Sequence, residues 1–426
     1  MLEIDESKEF DVIVIGGGPA GSSSACLLAK RGWRVLVLEK AKFPRYHIGE
    51  SLLPGAVSPL MELGLFDRVE HIGGALRKYG GTLRWGADAG TWNFQFEAAS
   101  RYPYTFQVRR ADFDALLLAR ARELGATVIE EASVSAPLME DDRVVGVTYT
   151  LRNAQQSRRV RARMVVDASG QSILFGRHFG LRSWNENFRN MATWAYFQDC
   201  ERYEGTLQGD VISEHTNRGW FWNIPLSDGT NSVGFVSPAD DSGKSRQELE
   251  DTYFAELGKT EEIGRLLRNA QQVSEFRTIK DWSYVCDRMY GDGWILTGDA
   301  AGFVDPLLSS GVTLALRGSR GVAEAVNAVL VHPESSKEVL DRYQQNYRSI
   351  IGQILSYVGY FYDTTRNKED YWEKAQNIVD PERRRSRIQN FVSVMSGLNG
   401  IFISDDEKEL YSDYSLEQAL EYHLET

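Results

Sequence analysis

Apolar positions fall first in a run from Phe10 to Ile15, rich in β-branched residues and followed at once by glycines. That is the pattern of a strand buried on both faces. From about Ala20 to Arg31 the period lengthens to that of a helix, Gly32 supplies its stop, and Arg34 to Leu38 returns to an apolar strand. Strand, helix and strand in so short a stretch predict a βαβ unit with a right-handed parallel crossover. Residues 104–117 and 120–150 read as a helix followed by strands, and Arg163 to Asp167 as a further buried strand. Between about 183 and 285 aromatic positions alternate with others and turns such as Ser227-Asp228-Gly229 recur, so an antiparallel sheet is expected. Gly293 to Leu296 returns to a buried strand, and a helix, Val312 to Arg317, opens near Gly311. Beyond about 335 the chain becomes helical, polar and rich in tyrosine.

The pattern predicts an α/β fold with an α+β second lobe. A Rossmann-like, dinucleotide-binding domain is expected over 8–182 and 286–335, with insertions near 70–105 that belong to the substrate lobe. An antiparallel-sheet substrate lobe spans 183–285, and a helical C-terminal region 336–426. No internal repeat or low-complexity linker separates these parts.

Composition narrows the possibilities. The 426 residues carry 48 Lys+Arg against 60 Asp+Glu, a net charge of −12, which excludes a general attraction for nucleic acid. The first residues lack the basic and apolar blocks of a signal peptide, and no apolar run reaches the ~18 residues of a membrane helix. Cys26, Cys200 and Cys286 are odd in number and widely spaced, which suits a reducing cytoplasm and argues against a disulfide framework. His47, His71 and His178 show no metal-ligand spacing, so no metal site is expected. The 38 glycines and 10 tryptophans are left to be explained by chemistry.

Gly16-Gly17-Gly18-Pro19-Ala20-Gly21 is a G-x-G-x-x-G between strand and helix. Gly16 permits the turn, Gly18 lets the backbone approach a pyrophosphate, and Gly21 packs the helix on the strand. Ala20 stands in the first turn of that helix, whose N-terminus offers free N–H groups and a positive dipole end. Glu39, followed by Lys40, ends the second strand 18 residues past Gly21, where a carboxylate can hold a ribose diol. Only one such unit occurs. This points to FAD as the dinucleotide, with electrons arriving from a separate flavin reductase. Asp167 in Val166-Asp167-Ala168-Ser169-Gly170, and Gly298-Asp299 in Leu296-Thr297-Gly298-Asp299-Ala300-Ala301, each end a buried strand, where a carboxylate can reach a ribityl hydroxyl.

These segments, with Phe43-Pro44-Arg45, Gly49-Glu50-Ser51-Leu52-Leu53-Pro54 and Gln107-Val108-Arg109-Arg110 with Phe113-Asp114, resemble the glutathione-reductase-type FAD fold of aromatic hydroxylases, geranylgeranyl reductases and flavin-dependent halogenases. The resemblance implies that Arg45, Ser51 and Arg110 lie along the cofactor. Trp220-Phe221-Trp222-Asn223-Ile224-Pro225 reads W-x-W-x-I-P and places Trp220, Trp222 and Ile224 on one strand face. Such a face can be ordinary aromatic core. It also resembles the signature of the halogenases, in which the tryptophans wall the flavin off from the organic substrate. By the same resemblance Lys78, in Arg77-Lys78-Tyr79-Gly80-Gly81-Thr82, takes the place of the active-site lysine that engages hypohalous acid. A lone lysine is otherwise a surface cation.

Phe303-Val304-Asp305-Pro306-Leu307-Leu308-Ser309-Ser310-Gly311 resembles the halogenase pattern F-x-x-P-x-x-S-x-G. Pro306 and Val312 would then flank the cofactor, and the N–H groups of Ser310 and Gly311 would hold chloride or bromide at a helix N-terminus. A plain N-cap by Ser309 or Ser310 is the simpler reading, and both can hold together. Tryptophan halogenases carry a glutamate in this stretch where Leu308 stands here. An electron-rich phenol or pyrrole is therefore the expected substrate, and the resemblance, which is to halogenases acting on carrier-tethered aromatic groups, implies an acyl or peptidyl carrier protein as partner. The alternative is an FAD monooxygenase or a geranylgeranyl-reductase-like enzyme; a non-catalytic flavoprotein stands behind both. Tyr357, Tyr360 and Phe361 share a helix face that is either core or substrate box. Arg383-Arg384-Arg385 with Arg387 is either a solvated face or a docking patch for an acidic carrier.

Overall fold

The computed structural model describes residues 10–397 apart from 89, 240–242 and 380–383, and the backbone without the side chains of 281, 282 and 335. The readings made at residues 1–9, at the side chain of Trp282, at Arg383 and across 398–426 lie outside the described residues.

The first strand, Phe10–Ile15, has no polar position beyond Asp11 and is flanked on both sides. It pairs in parallel with Val35–Leu38 and with Arg158–Asp167. Thr127–Ile129 extends the sheet past Val35–Leu38, and Trp294–Leu296 extends it past Arg158–Asp167, again in parallel. Val12, Ile13 and Val14 are wholly buried, as strands between two helix layers must be. The register sets Ile15 beside Asp167 and Leu38, and Asp167 beside Leu296, so the C-terminal ends form one edge. Ligands of open α/β sheets bind at such an edge. The strand at Asp167 starts at Arg158, five residues before the expected Arg163, because its amphipathic first half pairs with Arg143–Leu151 in an antiparallel meander.

The helix expected over 104–117 runs over Arg110–Glu123. Thr105–Gln107 is drawn instead into a two-stranded antiparallel ribbon with Leu76–Lys78. The second sheet runs in the order Gly302–Phe303, Arg277–Cys286, Arg182–Gln198, Asn231–Pro238, Trp220–Pro225, Val211–His215, Gly80–Arg84, Trp92–Gln95. It is antiparallel except at one seam, where Val211–His215 runs parallel to Gly80–Arg84, a strand from the first half of the chain. Its outer face carries Phe197, Phe221 and Phe235 against Tyr253 of the helix Arg246–Leu257, which opens with a Ser245/Glu248 capping box.

The helix expected at Val312 to Arg317 continues from Ser310 to Val331. Gly318 within it meets the ring of Tyr347 from the helix Ser336–Phe361; a Cβ there would lie 2.8 Å from that ring. Helices Lys368–Val379 and Arg387–Met395 complete the described C-terminal region. Among the described residues no helix is long and apolar enough to cross a membrane.

Candidate active site

A cavity of about 690 Å³ opens at the C-terminal edge of the parallel sheet. Its floor is the glycine turn. Gly16 has φ of +99°, and a Cβ on it would stand 2.5 Å from the Ala168 carbonyl oxygen; one on Gly21 would stand 2.0 Å from the Gly16 oxygen. Only glycine permits this approach of strand, turn and helix. Gly18 and Ala20 line the cavity beside Glu39 and Lys40. Glu39 is buried and accepts from the Gly17 N–H at 2.6 Å and the Ala41 N–H at 2.7 Å, so it also closes the turn. The Lys40 amine donates to Ser172 Oγ at 3.0 Å.

Arg45 and Arg110 line the cavity and share the wholly buried Asp114. Arg45 Nη1 donates to it at 2.7 Å, and Arg110 grips it with two bonds of 2.8 and 2.9 Å. Burial works to raise the Asp114 carboxyl, but Arg110 and Arg45 hold it below the usual carboxylate range. A buried carboxylate shared between two cations fixes both guanidiniums in place. Asp299 lines the same cavity, and burial, opposed by Arg110, pushes it up to about 6. Asp167 sits behind the wall. Its carboxylate is spent on the N–H groups of Ser169 and Phe175, and the residues after it, Ala168 to Gly170, face the cavity in its place. Gly298, φ +59°, and Gly21 shape the frame by packing and do not line the space.

At the far end Pro306, Ser310, Gly311 and Val312 face the cavity. Ser309 precedes the helix in the left-handed region, φ +53°, and makes no side-chain cap bond. The first-turn N–H groups therefore have no side-chain acceptor from Ser309, and a Cβ added at Gly311 meets nothing within 4 Å. A helix of 22 residues thus presents its positive end to open space in the cavity.

Trp220, Trp222 and Ile224 line the cavity while Phe221 points into the opposite core, as the strand alternation requires. The Trp222 indole lies across Gly234, where a Cβ would come within 2.1 Å of it. Trp220 Nε1 donates to the Tyr362 hydroxyl at 2.9 Å, and that hydroxyl donates to Asp305 Oδ2 at 2.9 Å. Tyr362 of the C-terminal region thus joins the tryptophan to the loop ahead of the helix.

A second, small cavity of about 20 Å³ adjoins the large one. Val211, Ser213, Leu307 and Ser309 border both spaces. Lys78 lines the small one, 1% exposed, and its amine donates to Ser51 Oγ at 2.8 Å and to the Leu52 carbonyl at 3.1 Å. Ser51 in turn faces the large cavity. Burial lowers the Lys78 amine from 10.5 to about 7, with Asp210 pulling the other way. Leu308, Phe94, Phe361 and Met395 supply apolar walls. Of the aromatic stripe in the C-terminal region only Phe361 reaches this cavity; Tyr357 is core, donating to the Tyr371 carbonyl. Arg387 pairs with Glu373 at 2.9 Å. Among the described residues no three His, Cys, Asp or Glu side chains cluster as a metal site.

Asp210 and Tyr362 carry no motif and were not legible as site residues, while Asp114 falls in the Phe113-Asp114 pair of the FAD-type resemblance without a role of its own. Asp114 had one further signal, its i,i+4 spacing from Arg110 on a helix.

A glycine turn, a buried strand-end carboxylate and a wide edge cavity are the frame of a dinucleotide site, and the chain matches the FAD dependent oxidoreductase family over residues 11–177. A second family match defines a narrower group. Residues 95–422 match the tryptophan halogenase family, and the protein belongs to the flavin-dependent halogenases. It is 34% identical to a tryptophan 2-halogenase of Chondromyces crocatus, over 87% of this chain and 71% of that one. It is 31% identical to a 1H-pyrrole-2-carbonyl-[peptidyl-carrier protein] chlorinase of Pseudomonas fluorescens, over 83% and 84% of the two chains. The myxobacterial chondrochloren halogenase superposes with a TM-score of 0.78 at 33% identity, covering 91% of this chain and 97% of that structure. The protein is an enzyme that uses FAD and halide.

Proposed function

We propose that this enzyme halogenates an electron-rich phenol or pyrrole presented on an acyl or peptidyl carrier protein, with reduced FAD delivered by a separate reductase. The observation that carries this reading is the buried Lys78 amine in a small apolar cavity that shares Val211, Ser213, Leu307 and Ser309 with the larger one, which Trp220 and Trp222 line. FAD, when bound in its reduced form, supplies the activation of O2 that oxidises halide to hypohalous acid. The glycine turn, Glu39, Lys40, Arg45, Arg110 and Asp299 would hold it, and the cavity they line fits such a group.

The chain's own work is positioning and separation. The N–H groups of Ser310 and Gly311 hold the halide at the positive helix end. Trp220 and Trp222 keep the arene out of the larger cavity. Hypohalous acid crosses between Val211, Ser213, Leu307 and Ser309 and meets Lys78, whose amine orients it by hydrogen bonding. The ring attacks the halogen, the carbon–halogen bond forms as the halogen–oxygen bond breaks, and the ring proton leaves; hypohalous acid and arene give halo-arene and water. Leu308 offers no carboxylate at the arene, which favours rings that need no further activation.

The carrier-borne substrate is favoured by the similarity to a carrier-protein pyrrole chlorinase. The test supplies reduced FAD, O2 and chloride or bromide to the enzyme with phenols and pyrroles, free and as carrier thioesters. Replacement of hydrogen by halogen on the thioester, read by mass, is the expected result. Gain of one oxygen, or halogenation of the free ring alone, overturns the corresponding part.

A further inference from the structure

The strand Val211–His215 reaches the second sheet through the short helix Gly205–Gly209, which packs directly on Lys78. A Cβ on Gly209 would lie 1.8 Å from the Arg77 carbonyl oxygen and 3.2 Å from Lys78 Cα, so only glycine lets the two backbones meet. The residue after it, Asp210, is thereby carried into the interior next to Lys78, at 1% exposure. The parallel seam sets the following residue, Val211, beside Gly81, and Thr82 on that strand donates to Asp210 Oδ2 at 3.0 Å. The other oxygen, Oδ1, is buried and without a hydrogen-bond partner. Next to it Gln107 Nε2 donates to the Gly209 carbonyl at 2.9 Å, while Gln107 Oε1 is buried and equally unmatched. Lys78 and Thr82 line the same small cavity, so the Asp210 carboxylate held by Thr82 stands just behind it; burial pushes that carboxyl up to about 7, and the Lys78 charge pulls it down. Orphaned buried acceptors are costly unless a nearby charge or proton donor compensates them.

We infer that Asp210 is the positioning carboxylate of Lys78: it keeps the amine an ammonium in an apolar cavity, and so keeps it able to donate to the oxygen of hypohalous acid. The inference rests on the reading of Lys78 given above. The carboxylate comes from the seam of the second sheet and not from the Pro306–Gly311 stretch, where Leu308 stands. Asp210 does not line the small cavity, so it acts through Lys78 and not on the arene.

The other ionisable groups near Lys78 are engaged elsewhere. On the flanking strands Arg77 pairs with Glu70, and Arg84 with Glu214 and Glu261. Glu50 takes the Tyr196 hydroxyl at 2.7 Å, and Asp305 takes Tyr362. Tyr79 packs on Tyr104, and His215 packs on Trp85 at the far end of its strand. The C-terminal helices contribute only Phe361 and Met395 to the cavity.

The test follows the Lys78 amine directly, by 13C NMR titration of protein labelled with [ε-13C]lysine, the Lys78 signal being the one lost in Lys78→Met. In Asp210→Asn the titration midpoint falls by at least about half a pH unit, a threefold loss of proton affinity, and the alkaline limb of the halogenation rate moves down with it. Asp210→Glu restores both. A Lys78 midpoint unmoved in Asp210→Asn overturns the inference. Should that variant not fold, Thr82→Val, which keeps the carboxylate and removes its one side-chain donor, must lower the midpoint in the same direction; no movement there overturns it equally. Halogenation that survives Lys78→Ala would instead defeat the reading of Lys78, a result the titration does not share.

Discussion

Lys78→Met should make the protein more stable below neutrality and inactive as a halogenase. Methionine is of similar length and unbranched, so it fills the same channel without a charge. Burial lowers the amine from 10.5 to about 7, and about 1.4 kcal/mol corresponds to each tenfold change in proton affinity, so the folded state is disfavoured by roughly 4–5 kcal/mol where the unfolded amine is charged. For a base whose folded value is depressed, this cost is complete below the folded value and fades as pH rises toward the unfolded one. Methionine removes the cost and also the bonds to Ser51 Oγ and the Leu52 carbonyl, which contribute about 1 kcal/mol each. The net gain is roughly 2 kcal/mol at pH 6, and it vanishes or reverses near pH 10.5. Urea unfolding of both proteins at pH 6 and pH 10, with slopes compared to confirm a common transition, measures it. A methionine variant less stable than the parent at pH 6 would refute the claim that desolvation of the amine dominates this site.

Asp114→Asn leaves Arg45 and Arg110 without their shared carboxylate, and should cost about 3 kcal/mol in urea unfolding and weaken FAD binding measured by fluorescence. Gly234→Ala drives a methyl into the Trp222 indole, so more hypohalous acid should escape to the trap monochlorodimedone per turnover while product per turnover falls. Gly311→Ala meets no neighbour and gains helix propensity, so the urea midpoint should hold or rise; yet the methyl intrudes on the proposed halide position, and the KM for chloride should rise several-fold.

The parts of the molecule written in local sequence were legible. Residues of the glycine turn with Glu39, of the W-x-W-x-I-P strand and of the stretch from Phe303 to Gly311 all line one cavity, because turn, strand face and helix start are short-range features. What depends on distant pairing was not. Asp210 matters through a parallel seam between residues 80–84 and 211–215, and nothing near it in sequence announces Lys78. Asp167 has the strand-end position of a cofactor ligand, but two backbone N–H groups consume its carboxylate. The long helix Ser310–Val331 exceeds its expected span because Gly318, a weak helix former, is stabilised by the approach of Tyr347.

The central claim is that the tryptophan wall separates halide oxidation from arene halogenation, with Lys78 as the only amine on the far side among the residues lining the small cavity. Lys78→Ala, given reduced FAD, O2 and chloride, tests it by following two outputs in one reaction: halogenated arene by mass, and free hypohalous acid by the trap. The account predicts that arene halogenation is lost while hypohalous acid continues to form and reaches the trap. Arene product formed at the parent rate would contradict it.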